Sequence, residues 1–430
     1  MPLLNSLLAL TLGMAGPAPK PPKAPVDIER YRAVLHSPGG KLPFFLEISK
    51  SGNPRRAWII NGPERIEIPT VRWAAGSLTL EFDHYDSRID ARAVGDGRLP
   101  NSDLPLQLRG TWRKVTGAQS SARMGFDAQR ASGTRRFDPI VGASGGSSSA
   151  PSITGRWAVR FEKSDDPAVG IFEAYDDGIV HGTFLTTLGD YRYLAGRYEH
   201  GRLRLSCFEG AHAFLFDAAM SPDGRLEGEF WSRDSWSEKW TAKRDPSAAL
   251  RDPFKMTRWN ESESLKDLRF RDLDGQPRSP GHPDYRGKAR IIKVFGSWCP
   301  NCHDAAAYMV ELDRRYRSRG LSILGLAFEM TGNFERDARQ VRRFIQRHGI
   351  EYPILLAGLS DKAAASKAFP VLDRVRAYPT TILLDADGKV RAIHTGFSGP
   401  ATGEEHKKLR REFESRIETL LAREPTPPKK

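Results

Sequence analysis

The sequence predicts a multidomain protein in which two related antiparallel β domains, each a barrel or sandwich, precede one α/β domain. Three observations in the 430 residues support this organisation: short alternating runs of apolar and polar residues up to about residue 250, an internal repeat within that region, and strands that alternate with helical stretches after residue 256. The length is also too great for one ordinary hydrophobic core, so two or three domains are expected.

Residues 1–25 are predicted to lie outside the folded domains, as a signal peptide and a Pro-rich linker. An apolar stretch of about 13 residues is followed by small residues, which is typical of a secretory signal peptide and too short to span a bilayer. The stretch lacks the usual preceding basic residues, so an unstructured start is the alternative. The first interpretation predicts an extracytoplasmic, periplasmic protein from which the signal peptide has been removed.

Two copies of one β domain are predicted, at residues 26–116 and 153–250. Arg30–Leu35 aligns with Arg156–Phe161 about 126 residues later, and weaker matches follow in the same order. Short strands that close on themselves avoid exposed edges, which favours a barrel or a sandwich for each copy. The repeat therefore predicts the duplication of one fold.

Two further segments are predicted to be flexible. Residues 117–152 are rich in Gly, Ser and Ala, and such a composition does not bury enough apolar surface to become ordered. This range is therefore predicted to be a flexible linker between the β domains. Residues 425–430, which contain mainly Pro and Lys, are predicted to be a disordered tail.

Residues 256–424 form the predicted α/β domain. Ile291–Phe295 and Leu321–Ala327 are apolar runs with the length and composition of buried strands, and the stretch between them predicts a helix. Further predicted elements alternate in the same way up to a last helix from about residue 403 to 422. Alternation of this kind is typical of an α/β unit.

The chemistry is predicted at Cys299 and Cys302, which form a C-x-x-C pair. The strand Ile291–Phe295 precedes the pair and a predicted helix follows it, so both sulfurs lie at a helix N terminus. The free backbone amides and the helix dipole favour a thiolate there. We expect Cys299 to be the nucleophile, and Cys302, one turn later and more buried, to resolve the mixed disulfide. The pair itself is the predicted redox centre, with no separate cofactor and no metal.

A second motif lies about eighty residues after the cysteine pair, where an x-Pro-Thr sequence at Pro379 opens a strand. With Trp298 before Cys299, and with an extra helix between the two motifs, the sequence resembles the thioredoxin superfamily and its TlpA-like branch of extracytoplasmic thiol:disulfide oxidoreductases. The resemblance covers about residues 265–421, two-fifths of the chain.

The resemblance implies a thioredoxin fold for the α/β domain and exchange of disulfides with a protein substrate that carries cysteines or a disulfide. It implies a cis peptide bond at Pro379 beside the sulfurs, with neighbouring backbone groups pairing to an extended substrate segment. A second, unidentified redox partner must regenerate the pair. We favour the reductive direction, which the Pro-Asn between the cysteines does not decide. The residues expected to shape the site and dock the substrate are Trp298, Pro300, Tyr378, Pro379 and Thr380.

The sequence departs from that family at the position of an acid. Many members carry Glu three residues after the second cysteine and Pro two residues further on, where this chain has Ala305 and Ala307. We therefore propose Glu329, at the end of a predicted strand, as an acid that tunes or deprotonates Cys302. The alternative interpretation of Glu329 is a solvated residue at a strand end.

Cys299, Cys302 and His303 also spell C-x-x-C-H, the attachment motif of c-type haem. The buried strand before the motif and the later Pro379 favour a dithiol over haem, and His303 is then expected to be exposed in the first helical turn. A zinc site would need a second Cys/His pair of suitable spacing, which does not accompany the first. The third cysteine, Cys207, is predicted to be a buried small apolar residue.

The net charge of +13 and the pI near 9.7 do not by themselves indicate a nucleic-acid partner. The basic residues are scattered among acidic ones, and no helix-turn-helix, zinc-finger or ribonucleoprotein motif is found. A solvated basic surface is the simpler interpretation, and it is compatible with peripheral contact with anionic membranes. The absence of long apolar runs excludes a multi-span membrane protein.

An alternative function from a different class is binding of a ligand or partner by the duplicated β domains, with the thioredoxin-like unit as an accessory module. Trp231, Trp236 and Trp240 would line a binding face in that interpretation. Aromatic residues with such spacing also occur in cores and in cross-strand packing. The sequence leaves both functions open.

Overall fold

The computed structural model describes residues 27–423 except 96, 98–102, 134, 139–151, 176 and 286. The predicted signal peptide and tail therefore lie outside the described residues, together with the later part of the predicted linker. Three sheets make up the described part of the chain, two of nine strands and one of seven. Within that part, no helix is long and apolar enough to cross a membrane.

The first sheet is an open antiparallel meander. Successive strands pair with one another except the fourth and fifth, which lie at opposite edges, and the first strand pairs with the last. Its strands are β1 Ile28–Ser37, β2 Gly40–Ser49, β3 Ala57–Asn61, β4 Glu64–Glu67, β5 Thr70–Ala74, β6 Ser77–Phe82, β7 Ser87–Ala93, β8 Gln107–Val115 and β9 Ser121–Arg130.

Strand β9 lies within residues 117–152, which we predicted to be a flexible linker. That prediction is wrong for the first part of the range, since β9 pairs with both β1 and β8. Its alternate residues Ala122, Met124 and Phe126 are buried in the core of the first sheet. The alternation of apolar and polar residues, typical of a half-buried strand, outweighs the Gly- and Ser-rich composition around it.

The second sheet repeats this strand order but closes into a barrel. Its strands are β10 Gly155–Phe161, β11 Ala168–Ala174, β12 Ile179–Thr186, β13 Gly189–Asp190, β14 Leu194–Glu199, β15 Arg202–Phe208, β16 Ala213–Met220, β17 Arg225–Ser232 and β18 Trp236–Arg244. β10 pairs with β11 and β18, as β1 pairs with β2 and β9, and β11 pairs with β12 as β2 pairs with β3. The pairing of β12 with β14, which has no counterpart among the described residues of the first sheet, closes the ring. The aligned segments Arg30–Leu35 and Arg156–Phe161 lie on the corresponding strands β1 and β10. The predicted pair of related antiparallel β domains is confirmed, with one copy a barrel and the other an open sheet.

The barrel fills the open side of the first sheet. Phe208, at the end of β15, packs against Phe44 with a centroid distance of 4.7 Å and edge-on against Phe82 and Trp112 at 5.8 and 5.6 Å. All four rings are buried in one core. Asn61 donates a hydrogen bond to the Phe208 carbonyl at 2.7 Å. The first copy remains open because the second copy covers the apolar face that closure would otherwise bury.

The C-terminal domain is built on a mixed sheet. Its strands are β19 Phe270–Arg271, β20 Pro277–Arg278, β21 Ala289–Phe295, β22 Leu321–Glu329, β23 Ile354–Leu359, β24 Thr380–Asp385 and β25 Val390–Thr395, and its helices are α1 Pro300–Tyr316, α2 Phe334–His348, α3 Lys362–Ala368 and α4 Glu404–Leu421. The strand order is β20-β19-β23-β22-β21-β24-β25, in which β21, β22 and β23 are parallel. Every residue of the central strand β21 is buried. This arrangement confirms the predicted α/β domain of thioredoxin type.

Candidate active site

Cys299 and Cys302 lie where β21 ends and α1 begins. Cys299 is the N-cap of α1 and Pro300 is its first residue, a position where the missing amide hydrogen of proline costs nothing. The backbone amides of Cys302 and His303 donate to the Cys299 carbonyl at 2.9 and 3.2 Å. The first turn of the helix therefore fixes the loop and holds both sulfurs at the helix N terminus.

The two cysteines are buried to different degrees, with 8% of Cys299 and 1% of Cys302 exposed. Burial raises the pKa of the Cys302 thiol well above its usual value, and the neighbouring Cys299 raises it further. The Cys299 thiol donates a hydrogen bond to the Tyr378 carbonyl, with a sulfur–oxygen distance of 3.4 Å. Cys299 is thus the more accessible sulfur, and Cys302 is held behind it as a thiol.

The x-Pro-Thr motif lies beside the cysteines. The peptide bond between Tyr378 and Pro379 is cis, and Trp298 packs edge-on against Tyr378 with a centroid distance of 5.6 Å. The hydroxyl of Thr380 donates to the Ala377 carbonyl at 2.9 Å, which holds the turn that carries Pro379. The structure therefore brings Trp298, Tyr378 and Pro379 together at the cysteine pair. Thr380 contributes by stabilising the turn that carries Pro379.

Glu329 lies at the end of β22 and is 2% exposed, so its interpretation as a solvated residue is wrong. Its carboxyl group accepts hydrogen bonds from the Ser297 amide at 2.8 Å and from the Ser297 hydroxyl at 2.7 Å. Burial raises the pKa of Glu329 to about 8, although the hydrogen bonds from Ser297 oppose the rise. The contact of Glu329 with the segment before Cys299 is therefore made through Ser297.

His303 is buried, and the prediction that it is exposed is wrong. Its Nε2 lies 2.8 Å from the Ser297 carbonyl oxygen, and its Nδ1 lies 2.8 Å from Nε2 of His348. Because a carbonyl only accepts, Nε2 of His303 carries the proton and Nδ1 accepts from His348. Burial lowers the pKa of His303 well below its usual value. The ring of Tyr85, from the first β domain, covers His303 at 4.8 Å, a contact that no local sequence pattern indicates.

One arginine of the barrel connects all three domains at the cysteine pair. Arg192, between β13 and β14, donates to Asp304 of α1 at 2.5 Å and to Glu64 of the first sheet at 2.7 Å. Its Nη1 also lies 3.5 Å from the Pro300 carbonyl oxygen. Burial raises the pKa of Asp304 to about 6, against the lowering effect of Arg192. Arg192 is 112 and 128 positions from its two acidic partners, so no motif in the sequence pointed to it.

The barrel also contacts a residue between the two cysteines. The side-chain amide of Asn301 donates to the Asp190 carbonyl at 3.3 Å, and the Asp190 carboxyl accepts from the Gly399 amide at 2.6 Å. Gly189 has a φ of +152°, and a Cβ at this position would lie 1.9 Å from the Asn301 amide nitrogen. Only glycine permits so close an approach. The segment from Gly189 to Arg192 is therefore one wall of the site.

The remaining candidate residues are structural or isolated. Cys207 is fully buried in β15, in agreement with its prediction as a small core residue, and burial raises the pKa of its thiol. Trp240 is buried in the barrel core, Trp231 packs against the core of the first sheet, and Trp236 is 46% exposed, so the three do not form one exposed face. The described residues contain no group of three or more His, Cys, Asp or Glu side chains that could hold a metal ion.

Comparison with known proteins gives matches for the C-terminal domain. Residues 260–409 match the sequence model of the Redoxin family. The chain is 32% identical over 130 residues to thiol-disulfide oxidoreductase ResA of Geobacillus thermodenitrificans, which covers 30% of this chain and 66% of that protein. It is 27% identical over 136 residues to the thioredoxin-like protein YneN of Bacillus subtilis, covering 32% of this chain and 72% of that protein.

Among solved structures, the thiol:disulfide interchange protein of Chlorobium tepidum is 24% identical, with 36% of this chain and 93% of that chain covered and a TM-score of 0.27. The matched region spans 66% and 58% of the length of the first two curated relatives, less than two-thirds of each.

Proposed function

We propose, on the premise that residues 260–409 form a thioredoxin-like Redoxin domain, that this chain is a thiol:disulfide oxidoreductase acting on protein substrates. The observation that carries the proposal is the contact between the Cys299 thiol and the Tyr378 carbonyl, 3.4 Å apart, at the N terminus of α1. The nucleophilic sulfur then lies beside the backbone that precedes Pro379, where an extended substrate segment can pair as an added strand.

In the reductive direction, the Cys299 thiolate attacks one sulfur of the substrate disulfide. A bond forms between Cys299 and that sulfur, the substrate S–S bond breaks, and the other substrate sulfur leaves as a thiolate that takes up a proton. Cys302 then loses its proton and attacks the Cys299 sulfur, which releases the second substrate thiol. The substrate gains two electrons, and the resulting Cys299–Cys302 disulfide must be reduced by a second partner that carries a dithiol. The sulfur pair is the only redox centre that these steps use.

The residues around Cys299 limit the form of the substrate. Because 8% of Cys299 is exposed, the substrate must present its disulfide on an extended segment rather than on a flat surface. We propose that Trp298, Pro300 and Tyr378 shape the surface that receives this segment. Glu329 is the candidate for proton handling. Its pKa of about 8 keeps the carboxyl group protonated near neutral pH, and the group loses its proton at slightly higher pH.

The β domains are better explained as part of this unit than as a separate binding protein. Arg192 of the barrel bonds to Asp304, two residues after Cys302, and the barrel also receives a hydrogen bond from Asn301, between the cysteines. A binding module with an accessory oxidoreductase would not require contacts with the cysteine loop. We propose that the two β domains restrict which substrates reach Cys299.

Haem attachment at the C-x-x-C-H motif receives no support. The Cys302 sulfur is buried, and both ring nitrogens of His303 have hydrogen-bond partners. A covalently attached haem would need an accessible sulfur and a free imidazole nitrogen.

We also propose an extracytoplasmic, periplasmic location. Its support is the apolar stretch within residues 1–25, which lies outside the described residues, and the resemblance to extracytoplasmic oxidoreductases. The net charge of +13 supports peripheral contact with anionic membranes. Cell fractionation of the tagged full-length chain tests the location, and recovery with the cytoplasmic fraction alone would exclude it.

Trapping of the mixed disulfide tests the activity. Cys302→Ser should accumulate a covalent adduct between Cys299 and a disulfide-bonded protein such as insulin, visible on non-reducing gels and released by a reducing agent. Cys299→Ser should give no adduct, and Cys207→Ser should behave as the wild type because that thiol is fully buried. If Cys302→Ser forms no adduct with a substrate that the wild type turns over, the proposal is wrong.

A further inference from the structure

A lysine lies in the buried strand that leads to the cysteine pair. Lys293, on β21 and six residues before Cys299, is 4% exposed. Its Nζ donates a hydrogen bond to the hydroxyl of Thr381 at 2.8 Å, and Thr381 is its partner on β24 in the strand register. The ring of Phe397 lies 5.6 Å from the ammonium nitrogen. The amine of Lys293 is thus buried in the core of the domain.

No carboxylate of the described residues pairs with this ammonium group. The groups that face Lys293 are the uncharged Thr381 from β24, His394 from β25, and the cysteine pair at the start of α1. Burial, and then Lys293 itself, lower the pKa of His394 to about 3, so the imidazole is neutral. Buried charges in proteins are normally paired. Among the described residues, the cysteine pair is therefore the group that can supply a negative charge to the ammonium, once a cysteine loses its proton.

Lys293 and the cysteines favour each other's charged forms. Burial lowers the pKa of Lys293 to about 8, and the negative charges of Cys302 and Cys299 oppose this fall. In the reverse sense, Lys293 lowers the pKa of Cys302, which burial raises. Attraction between an ammonium and a thiolate is strong in a site from which water is excluded.

We propose that Lys293 is a buried counter-charge for the Cys302 thiolate and sets the rate at which Cys302 resolves the mixed disulfide. The inference rests on the proposed oxidoreductase function and deepens it. Lys293 is a positioning residue, since it forms and breaks no bond. Its ammonium group lowers the free energy of the anion that attacks, which a neutral side chain at the same position would not do.

The chemistry of the resolving step balances without a further reactant. The Cys302 thiol loses its proton, its electron pair forms the bond to the Cys299 sulfur, and the bond from Cys299 to the substrate sulfur breaks. The substrate sulfur leaves with that electron pair and takes up a proton. After the step the pair is a neutral disulfide, so Lys293 has lost its counter-charge and holds its proton less tightly. The charge of Lys293 and the redox state of the pair are therefore linked.

Titration of Cys302 alone tests the role of Lys293. In the full-length Cys299→Ser background, Lys293→Met removes the charge and keeps most of the side-chain length. Formation of the Cys302 thiolate is followed by ultraviolet absorbance. Its midpoint should move to higher pH by about one unit, which corresponds to an about tenfold smaller acid dissociation constant. Lys293→Arg keeps the charge and should stay closer to the original midpoint. The matched control is Lys288→Met, an exposed lysine just before β21, which should leave the midpoint unchanged.

The kinetics separate this inference from the proposed function. With both cysteines present, Lys293→Met should slow release of the substrate from the mixed disulfide about tenfold at neutral pH, whereas formation of the mixed disulfide by Cys299 should change less. Lys293→Gln repeats the test with a different side-chain shape if the methionine variant does not fold. An unchanged Cys302 midpoint in a folded, uncharged variant would overturn the role of Lys293 while substrate turnover remained. Failure of Cys302→Ser to trap a substrate would instead overturn the oxidoreductase proposal.

Discussion

Nη1 of Arg192 in the barrel lies 2.5 Å from Oδ2 of Asp304 in α1, two residues after Cys302. Nη2 of the same guanidinium lies 2.7 Å from Glu64 of the first sheet, and all three side chains are largely buried. A buried cation between two carboxylates is stable only while each partner is in place. This contact couples the geometry of the cysteine pair to the packing of both β domains.

Arg192→Met should destabilise the chain and alter disulfide exchange. The change leaves the carboxylates of Glu64 and Asp304 buried without their cation, and loss of one partner of a buried pair costs about 3–5 kcal/mol. The thermal unfolding midpoint should fall by about 5 °C or more. Arg197→Met is the matched control, because Arg197 pairs with Glu199 inside the barrel and should lower stability without changing the exchange rate of the folded protein. Equal exchange rates in both variants would contradict the coupling.

The sequence was sufficient to predict features that short runs of residues encode. The strand before Cys299, the helix after it and the motif at Pro379 each occupy a few consecutive positions, so their periodicity and spacing carry the information. The surroundings of His303 and Asp304 could not be predicted, since they come from residues of other domains that no local pattern relates to them.

Two further features have a signal in the sequence that the predictions did not use. The strand β9 alternates apolar and polar residues over its 10 positions, but the composition of the longer range that contains it concealed this pattern. Lys293 was visible in the middle of a buried apolar run, where an ionisable side chain is costly and therefore informative. Its environment, however, depends on Thr381 and the cysteine pair, whose positions only the folded sheet defines.

Glu329→Gln should stabilise the protein more at alkaline than at acidic pH. Burial raises the pKa of Glu329 from 4.5 to about 8, so over this range the folded state keeps a proton that the unfolded chain has lost. The free energy of unfolding of the wild type therefore falls as the pH rises from about 4.5 to about 8. Glutamine keeps an acceptor for Ser297 but does not titrate, so the variant should not lose stability in this range. The loss in the wild type amounts to about 1.4 kcal/mol of unfolding free energy for each pKa unit.

The thermal unfolding midpoints of the wild type and Glu329→Gln, measured from about pH 5 to about pH 9, test this prediction. The two midpoints should be close near about pH 5, and the midpoint of Glu329→Gln should be clearly higher near about pH 9. Glu335→Gln, which changes an exposed residue of α2, should show no such pH dependence. A difference that is constant from acid to alkaline pH would mean that Glu329 does not hold a proton in the folded state.

The buried histidines between the first sheet and the α/β domain should lower the folding stability of the protein as the pH falls. His303 and His348 are 2.8 Å apart, and the ring of His84 lies 5.3 Å from that of His303. Burial lowers the pKa of all three, and that of His348 to about 4. The unfolded chain binds protons there below about pH 6.5 while the folded chain does not, so stability is lost from about pH 6.5 towards about pH 4.

Replacement of one of these histidines should flatten the acid side of the stability profile. His348→Gln keeps a donor for His303 but no longer titrates, so its midpoint should fall less steeply with decreasing pH than that of the wild type. His200→Gln changes an exposed histidine in the turn between β14 and β15 and should leave the slope unchanged. Parallel slopes for His348→Gln and the wild type would show that this cluster does not control acid stability.

Phe208→Ala should destabilise both β domains together. The ring lies in the core that the barrel shares with the open sheet, and removal of a buried phenylalanine costs about 3–5 kcal/mol. Because the cavity would lie between the two sheets, hydrogen exchange should quicken in strands β1 to β9 as well as in the barrel. Phe230→Ala removes another buried ring, from the core of the barrel alone, so it should lower the protection of the barrel strands and leave more protection in the first sheet. If both variants expose the first sheet to the same extent, its stability depends on the barrel as a whole and not on the ring of Phe208.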